Sequence, residues 1–242
     1  MRRILLLATV GLAATALALP VATAGSVDSG YLRQIGTYDY LVSPDYEGLA
    51  PLGAATSGAT IGLGTFDHLN GELVMLGGTV YRVSTTGTPV VVSPNARTPF
   101  VQAIAFDPQA RAVVPRGTSC TDLGPLITEL AGTSDGIIAV RLHGRFPQLT
   151  TRSVPRQSTP YPPLSEVVAQ QVEFDLDRSN ATLVGFWQGP SMAGVGAPGL
   201  HLHGLTTDRG AGGHVLSCTT GRVRIAVQVT EGVVIESVRT PR

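Results

Sequence analysis

Lysine is absent from this sequence of 242 residues, in which all 17 basic side chains are arginine. That absence excludes chemistry that needs a lysine amine, such as Schiff-base decarboxylation, an internal pyridoxal aldimine or a Walker-type phosphate loop. An excess of basic charge is absent as well, since 17 acidic residues balance the arginines. Because only 14% of the residues are charged, the composition argues against a nucleic-acid-binding protein.

Long apolar runs are also missing, apart from one at the N-terminus. Arg2 and Arg3 precede an apolar stretch over 4–19, Pro20 interrupts it, and small residues lead to Ala24. The stretch is shorter than the roughly 20 residues that span a bilayer and has the layout of a secretory signal. We therefore expect a cleaved signal peptide over 1–24, one domain over 25–242, and export as a secreted or periplasmic protein without membrane association. An uncleaved N-terminal anchor is the alternative.

Cysteine is scarce, with only Cys120 and Cys218, 98 residues apart. Two cysteines at this spacing do not form a metal site by themselves. In an oxidising compartment they can form a disulfide, and closing a loop of that size stabilises the fold by up to ~4–5 kcal/mol in the chain-entropy model. Two separate buried thiols are the alternative, and the sequence leaves both open.

Strand-like segments dominate the chain from Ile61 onwards, whereas 25–60 gives only weak structural signals. Short helices are expected at 119–130 and 163–168, where serine, threonine or proline precedes apolar residues at helical spacing. The pattern predicts an α+β fold with a mostly antiparallel sheet. The expected strands are 73–76, 79–83, 89–92, 100–106, 137–142, 182–187, 199–205, 213–218, 222–229 and 233–238.

Three of the five histidines lie within fourteen residues, at His201, His203 and His214. Residues two apart on a strand share a face, so His201 and His203 project together. If the turn is centred between Asp208 and Arg209, His203 lies opposite His214, with Cβ atoms roughly 4.5–5.5 Å apart. Three imidazoles around one point suit zinc or another divalent transition ion, and three protein ligands leave a position open, as in catalytic sites.

Other polar residues are ambiguous from the pattern alone. His68 and His143 show no such geometry and are interpreted as ordinary residues. Glu72 follows a glycine-marked turn, and Arg152 lies in a polar stretch before a proline-rich segment. Composition and spacing fit exposed residues at both positions as well as functional ones.

Several uncommon strings in this sequence resemble alpha-acetolactate decarboxylase, and together they cover the chain from about Gly62 to Cys218. They are Gly62-Leu-Gly-Thr-Phe-Asp-His-Leu-Asn-Gly-Glu-Leu-Val-Met-Leu76, Arg152-Ser-Val-Pro155, Tyr161-Pro-Pro-Leu164, Leu183-Val-Gly-Phe-Trp187, Pro198-Gly-Leu-His-Leu-His203 and Gly212-Gly-His-Val-Leu216. The resemblance implies a zinc enzyme that converts 2-acetolactate, a 2-hydroxy-3-oxo acid, to acetoin and carbon dioxide. It further implies a homodimer. We expect two closely packed lobes that divide near 145–160, with the metal site on the histidine-bearing hairpin.

The resemblance also assigns roles to residues. The zinc ligands of the family fall on His201, His203 and His214, its active-site glutamate and arginine on Glu72 and Arg152, and a substrate-side position on Thr65. The family has a further C-terminal glutamate that approaches the metal, and neither Glu231 nor Glu236 matches its motif. We expect that position to be open to water or filled by another group.

Two other classes of protein fit parts of the pattern. A cupin-like metal oxygenase also uses His-x-His, but usually has a glutamate three or four residues after the second histidine, where this chain has Thr206 and Thr207. An exported metal-binding module without catalysis would carry the histidines and make no use of Glu72 or Arg152.

Overall fold

The structure is a computed structural model in which residues 30–237 are described. The predicted signal peptide, 1–24, lies outside the described residues. No helix within 30–237 has the length and apolar character needed to cross a membrane.

Strands make up most of the described chain, and helices are few and short. The strands are β1 (Tyr31–Ile35), β2 (Ala50–Pro51), β3 (Ile61–Thr65), β4 (Glu72–Leu76), β5 (Thr79–Val83), β6 (Pro89–Val91), β7 (Arg97–Thr98), β8 (Val101–Ile104), β9 (Ala110–Val114), β10 (Ile137–Phe146), β11 (Gln148–Ser153), β12 (Val172–Asp175), β13 (Ser179–Gln188), β14 (Gly199–Thr206), β15 (Gly212–Thr219), β16 (Val223–Val229) and β17 (Gly232–Ser237). The α-helices are α1 (Tyr38–Val42), α2 (Gly53–Thr56), α3 (Leu123–Ala131) and α4 (Leu164–Ala169), with 3₁₀ turns at Asp67–Leu69, Cys120–Asp122 and Pro190–Met192.

These strands form two large sheets and one small one. The first sheet has the order β17-β1-β8-β3-β4-β5-β6, the second β12-β11-β15-β14-β13-β10-β16-β9, and β2 pairs with β7. Neighbouring strands run antiparallel, except that β1 and β17 are parallel. The predicted α+β class, with mixed but mostly antiparallel sheets and few short helices, is therefore confirmed.

The two sheets pack face to face, and a helix covers the outer side of each. The core between them joins residues such as Leu63 and Val74 of the first sheet to Val184 and Phe186 of the second. A second core lies between the outer face of the second sheet and α3, and a third lies between the first sheet and α2. The chain changes sheet between Ile104 and Ala110, earlier than the lobe division predicted near 145–160, and β17 returns to the first sheet.

Local patterns located most elements correctly. Gly77 and Gly78 close the predicted β4–β5 hairpin with φ of 58° and 83°, the conformation that favours glycine. The helix expected over 119–130 begins instead as a 3₁₀ turn, and the α-helix proper starts at Leu123. The Ser119 hydroxyl accepts a hydrogen bond from the backbone N–H of Thr121, so the side chain caps this tighter first turn.

The two cysteines form a disulfide, which joins the 3₁₀ turn before α3 to β15. We expect Cys218→Ser to lower the free energy of unfolding by up to ~4–5 kcal/mol, because the unfolded chain regains the freedom of a 98-residue loop. Activity per folded molecule should stay near that of the parent, since the sulfur lies in the core beside α3. Denaturant unfolding with and without a reductant measures this. A reductant that destabilises parent and variant equally would show that the bridge contributes nothing.

Candidate metal centre and active site

The three clustered histidines meet on the inner face of the second sheet. His203 on β14 pairs directly with His214 on β15, which confirms the register predicted from the turn. The Nε2 atom of His201 lies 3.2 Å from Nε2 of His203 and 3.1 Å from Nδ1 of His214, and the last two atoms are 3.2 Å apart. Three ring nitrogens therefore converge on one point, at the face that packs against β4.

Burial keeps these imidazoles neutral. Desolvation, aided by the nearby Arg152 guanidinium, lowers the pKa of His201 to about 3. Burial also lowers the pKa of His203 and of His214 well below the ordinary value, with neighbouring imidazoles adding to the effect. His203 Nδ1 lies 2.7 Å from the carbonyl oxygen of Leu73, which can only accept, so this nitrogen carries the proton. Its Nε2 atom thus presents a lone pair to the cluster.

This donor set fits a divalent transition ion. Ligands in tetrahedral positions at zinc–nitrogen bonds of about 2.0–2.1 Å lie roughly 3.3–3.4 Å from one another. The observed separations of 3.1–3.2 Å are close to that spacing. Neutral imidazoles suit zinc, copper, iron and nickel alike, so the triad of His201, His203 and His214 fits a metal without selecting one.

A buried ion pair lies beside the triad. Glu72 is the first residue of β4, and its Oε1 atom accepts a hydrogen bond of 2.7 Å from Nη1 of Arg152. Its other oxygen, Oε2, lies 3.5 Å from Nε2 of His203. Burial raises the pKa of the Glu72 carboxyl, and the charge of Arg152 opposes that rise. The carboxylate therefore contacts both the guanidinium and the histidine triad.

Arg152 reaches this site because it lies on a strand that the sequence pattern did not indicate. It is on β11, directly opposite His214 on β15, and its side chain is 13% exposed. The interpretation of Arg152 as an exposed residue is therefore wrong. Its Nε atom is buried and has no hydrogen-bond partner among the described residues. Arg152 also lines the cavity beside the triad, so its guanidinium can contact a ligand bound there.

Thr65 lies at the end of β3, opposite Glu72. Its hydroxyl donates a 2.8 Å hydrogen bond to the carbonyl oxygen of Gly71, in the turn that leads to Glu72. The hydroxyl oxygen keeps a lone pair that can accept a further hydrogen bond. Thr65 therefore lines the site and also fixes the turn that positions the carboxylate.

All the predicted site residues line one cavity of about 330 Å³ between the two sheets. One end carries the triad with Glu72, Arg152 and Thr65, and the remaining walls are mostly apolar. The wall residues were missed from the sequence because they come from six separate segments of the chain. They are Tyr38, Leu41, Leu69, Phe100, Val154, Leu164, Val168, Ala197 and Leu200.

His68, interpreted as an ordinary residue from its pattern, holds two walls of this cavity together. It adopts a left-handed backbone (φ 61°) in the β3–β4 turn, and its Nδ1 atom lies 2.5 Å from the Tyr161 hydroxyl. Leu69, next to His68, and Leu164, three residues after Tyr161, both line the cavity. The hydrogen bond therefore connects the turn to the segment that leads into α4.

We expect Tyr161→Phe to raise the Michaelis constant about 2–10-fold while kcat and metal content stay near parental values. Loss of one hydrogen bond of about 0.5–1.5 kcal/mol loosens the cavity wall but leaves the polar end intact. Steady-state kinetics with metal analysis measures both effects. Tyr81→Phe, which removes a hydroxyl from a ring packed near Arg209, is the matched control. An unchanged Michaelis constant for Tyr161→Phe would exclude this role.

Known proteins are similar to this chain in sequence and in fold. The sequence profile of the alpha-acetolactate decarboxylase family matches residues 32–241. Alpha-acetolactate decarboxylase of Methanosarcina mazei is 33% identical over 202 residues, which are 84% of this chain and 70% of the relative. The enzyme of that name from Brevibacillus brevis is 31% identical over 82% of this chain and 70% of its own length.

A solved structure agrees with these relatives. The crystal structure of alpha-acetolactate decarboxylase from Bacillus subtilis strain 168 superposes with a TM-score of 0.80 at 28% identity. The match covers 88% of this chain and 89% of the solved one. The sequence profile, the related sequences and the fold lead to the same conclusion: this chain belongs to the alpha-acetolactate decarboxylase family.

Proposed function

We propose that this protein decarboxylates 2-acetolactate to acetoin and carbon dioxide with a divalent transition ion, in the first place zinc, held by His201, His203 and His214. Membership of the family makes the chain a carboxy-lyase. One observation gives most support to metal-dependent decarboxylation of 2-acetolactate. A buried glutamate–arginine pair contacts three converging neutral imidazoles.

The chemistry of the substrate explains why such a site is needed. The carboxylate of 2-acetolactate lies on a carbon that also carries a hydroxyl and adjoins a ketone. Loss of carbon dioxide leaves the electron pair on that carbon, and the product of this step is an enediolate. A bound divalent ion would supply Lewis acidity for the oxygens on which negative charge develops, a contribution of several kcal/mol. A chain without lysine has no side-chain amine for the alternative Schiff-base route.

Arg152 is proposed to bind the substrate carboxylate. Its guanidinium is mostly buried, one nitrogen is already fixed by Glu72, and Nε has no partner among the described residues. A planar guanidinium can hold a carboxylate by two parallel hydrogen bonds, which orients the bond that breaks. The apolar walls keep water away from the same region and accommodate the methyl groups of the substrate.

Glu72 is proposed to move the proton. Its carboxylate can accept the proton of the substrate hydroxyl as charge develops and return one to the enediolate carbon. Burial raises the pKa of this carboxyl, which brings it closer to the working pH, as a general acid–base requires. Thr65, next to Glu72, can accept a hydrogen bond from a substrate hydroxyl.

The direct test is to incubate purified protein with racemic acetolactate after adding zinc, and to follow acetoin and carbon dioxide. We expect zinc-dependent formation of both products in equal amounts. Removing the metal with a chelator should abolish it, and adding metal back should restore it. Full zinc loading without acetoin would favour the non-catalytic metal-binding module over this proposal.

Export and homodimer formation remain proposals that rest on the sequence and the resemblance. Expression of the full chain with fractionation should give a mature protein that begins after Ala24 outside the cytoplasm. Light scattering of the purified protein should give twice the mass of the mature chain. A protein that keeps residues 1–24, or a monomer at micromolar concentration, would exclude the corresponding proposal.

A further inference from the structure

One exposed part of the second sheet is strongly basic. Five arginines and a histidine on or beside three neighbouring strands line two adjoining open hollows on it, and we call this group the arginine face. Its members are Arg111, Arg141, His143, Arg145, Arg222 and Arg224. A sixth arginine, Arg116, lines the second hollow from the turn after β9.

The arginine face is an uncovered continuation of the inner face of the sheet. On β10, Ile137 and Ala139 belong to the core between the sheets. Further along the same face of that strand Arg141, His143 and Arg145 are exposed, and they alternate with buried residues of the opposite face. The first sheet thus ends where the arginines begin, and Val113 of β9, in the same hollows, is 68% exposed.

The strand register brings these cations close together. His143 on β10 lies directly opposite Arg224 on β16, and Ala226 on β16 lies between Arg141 and Arg111. Strand spacings of about 4.8 Å, and about 6.7 Å between alternate residues of one strand, set the distances between their attachment points. Like charges on neighbouring strands destabilise a sheet unless an opposite charge is present.

Within residues 30–237 the protein supplies no such opposite charge. Neither hollow has an acidic residue among its described lining residues, and none of the five arginines forms an ion pair there. The chain as a whole is neutral, so the face reflects an uneven placement of charge. An external anion would complete it.

The chemistry of the face favours phosphate groups in a row. Arginine binds phosphate through two parallel hydrogen bonds. The face extends over three strands and, on β10, over about 13 Å from Arg141 to Arg145, which is farther than one compact anion spans. Single-stranded nucleic acids bind through stacked aromatic side chains as well as cations. The ring at this border, Phe106, is already covered by the Arg141 guanidinium at 5.3 Å from its centroid.

We propose that the arginine face binds a linear chain of phosphate groups, of which inorganic polyphosphate is the simplest representative. The binding is independent of the metal centre, because none of its residues lines the catalytic cavity.

The test uses the purified full chain and fluorescent medium-chain polyphosphate, followed by anisotropy between about 50 and 200 mM salt. The test variant is Arg141→Gln/Arg224→Gln. The control variant, Arg97→Gln/Arg156→Gln, removes two exposed arginines that line neither hollow and so changes the net charge equally. Heparin and single-stranded DNA are compared as probes of different chemistry.

We expect parent and control to bind polyphosphate with a steep salt dependence. The test variant should bind about tenfold or more weakly, with the slope of log affinity against log salt reduced by about two. Polyphosphate should raise the melting temperature of the parent and not that of the test variant, and acetoin formation should be equal in all three. Equal weakening in test and control variants would overturn the proposal, and so would a parent that does not bind or that prefers heparin or DNA.

Discussion

Replacing His203 with alanine should remove most of the bound metal and abolish turnover. His203 is 1% exposed, lies within 3.2 Å of both other ring nitrogens, and is oriented by the Leu73 carbonyl. The variant keeps two imidazoles, too few to hold zinc in competition with a chelator. The parent should carry about one zinc per chain after gel filtration, and the variant close to none.

Loss of a buried ring can also affect folding, so metal content needs a second measurement. Added zinc should raise the melting temperature of the metal-free parent, because a ligand that binds only the folded state stabilises it. The same addition should leave the His203→Ala variant unchanged. His203→Gln, which fills more of the space, is expected to behave like the alanine variant.

His143→Ala is the matched control, since this histidine lies outside the cavity, on the exposed continuation of the inner face of the sheet, and its Nδ1 contacts the Thr182 hydroxyl at 2.9 Å. That variant should retain zinc and activity. If His203→Ala kept a full complement of zinc and its thermal response to the metal, His203 would not be a ligand.

The register of the histidine hairpin could be predicted from the sequence because it depends on local chemistry. A turn centred between Asp208 and Arg209 fixes the pairing of His203 with His214, and strand alternation adds His201. The information lies within fourteen residues. The same holds for the β4–β5 hairpin, where two glycines determine the turn.

The other half of the site depends on contacts between distant segments. Glu72 and Arg152 are 80 residues apart and come from different sheets, so no local pattern can bring them together. Only the family resemblance suggested that they act at one site. β11 was missed because its threonine-rich sequence reads as polar, although the alternation of Leu149, Thr151 and Ser153 on the buried face was a usable signal.

The first strand of the described chain was harder still to predict from the sequence. β1 gains its place by pairing in parallel with β17, about two hundred residues later, and antiparallel with β8. Its own five residues show no clear alternation, since the burial of Leu32, Gln34 and Ile35 depends on what packs around them. Pairing of this kind is set by the whole fold rather than by the segment.

Arg152→Lys and Glu72→Gln should each lose most of the activity while keeping the metal. Lysine preserves the charge at 152, but an ammonium is a point charge that cannot reproduce a planar two-point contact with a carboxylate. Misplacing the leaving carboxylate should reduce kcat by about 10² or more. Glutamine preserves the shape of Glu72 and can still accept from Arg152, but it cannot take up the proton, and loss of a general acid or base typically costs ~10²–10⁴-fold.

Metal content separates these effects from damage to the triad. Both variants retain the three histidines, so each should bind about one zinc per chain. Zinc affinity is more sensitive to Glu72→Gln than to Arg152→Lys, because Oε2 of Glu72 lies 3.5 Å from His203 Nε2. A weaker zinc affinity of Glu72→Gln would show that the carboxylate also contributes to the metal shell. Circular dichroism and melting curves check that breaking a mostly buried ion pair has not unfolded the protein.

The double variant Arg152→Lys/Glu72→Gln decides whether the two residues act together. If both residues act in the same step, replacing either one already removes most of the rate gain of that step. The rate loss of the double variant should therefore be far smaller than the product of the two single rate losses. Acetoin formation measured beside zinc content in all four proteins gives the answer. Equal turnover in parent and single variants at equal zinc would remove both residues from the mechanism, and fully multiplicative losses would assign them to separate steps.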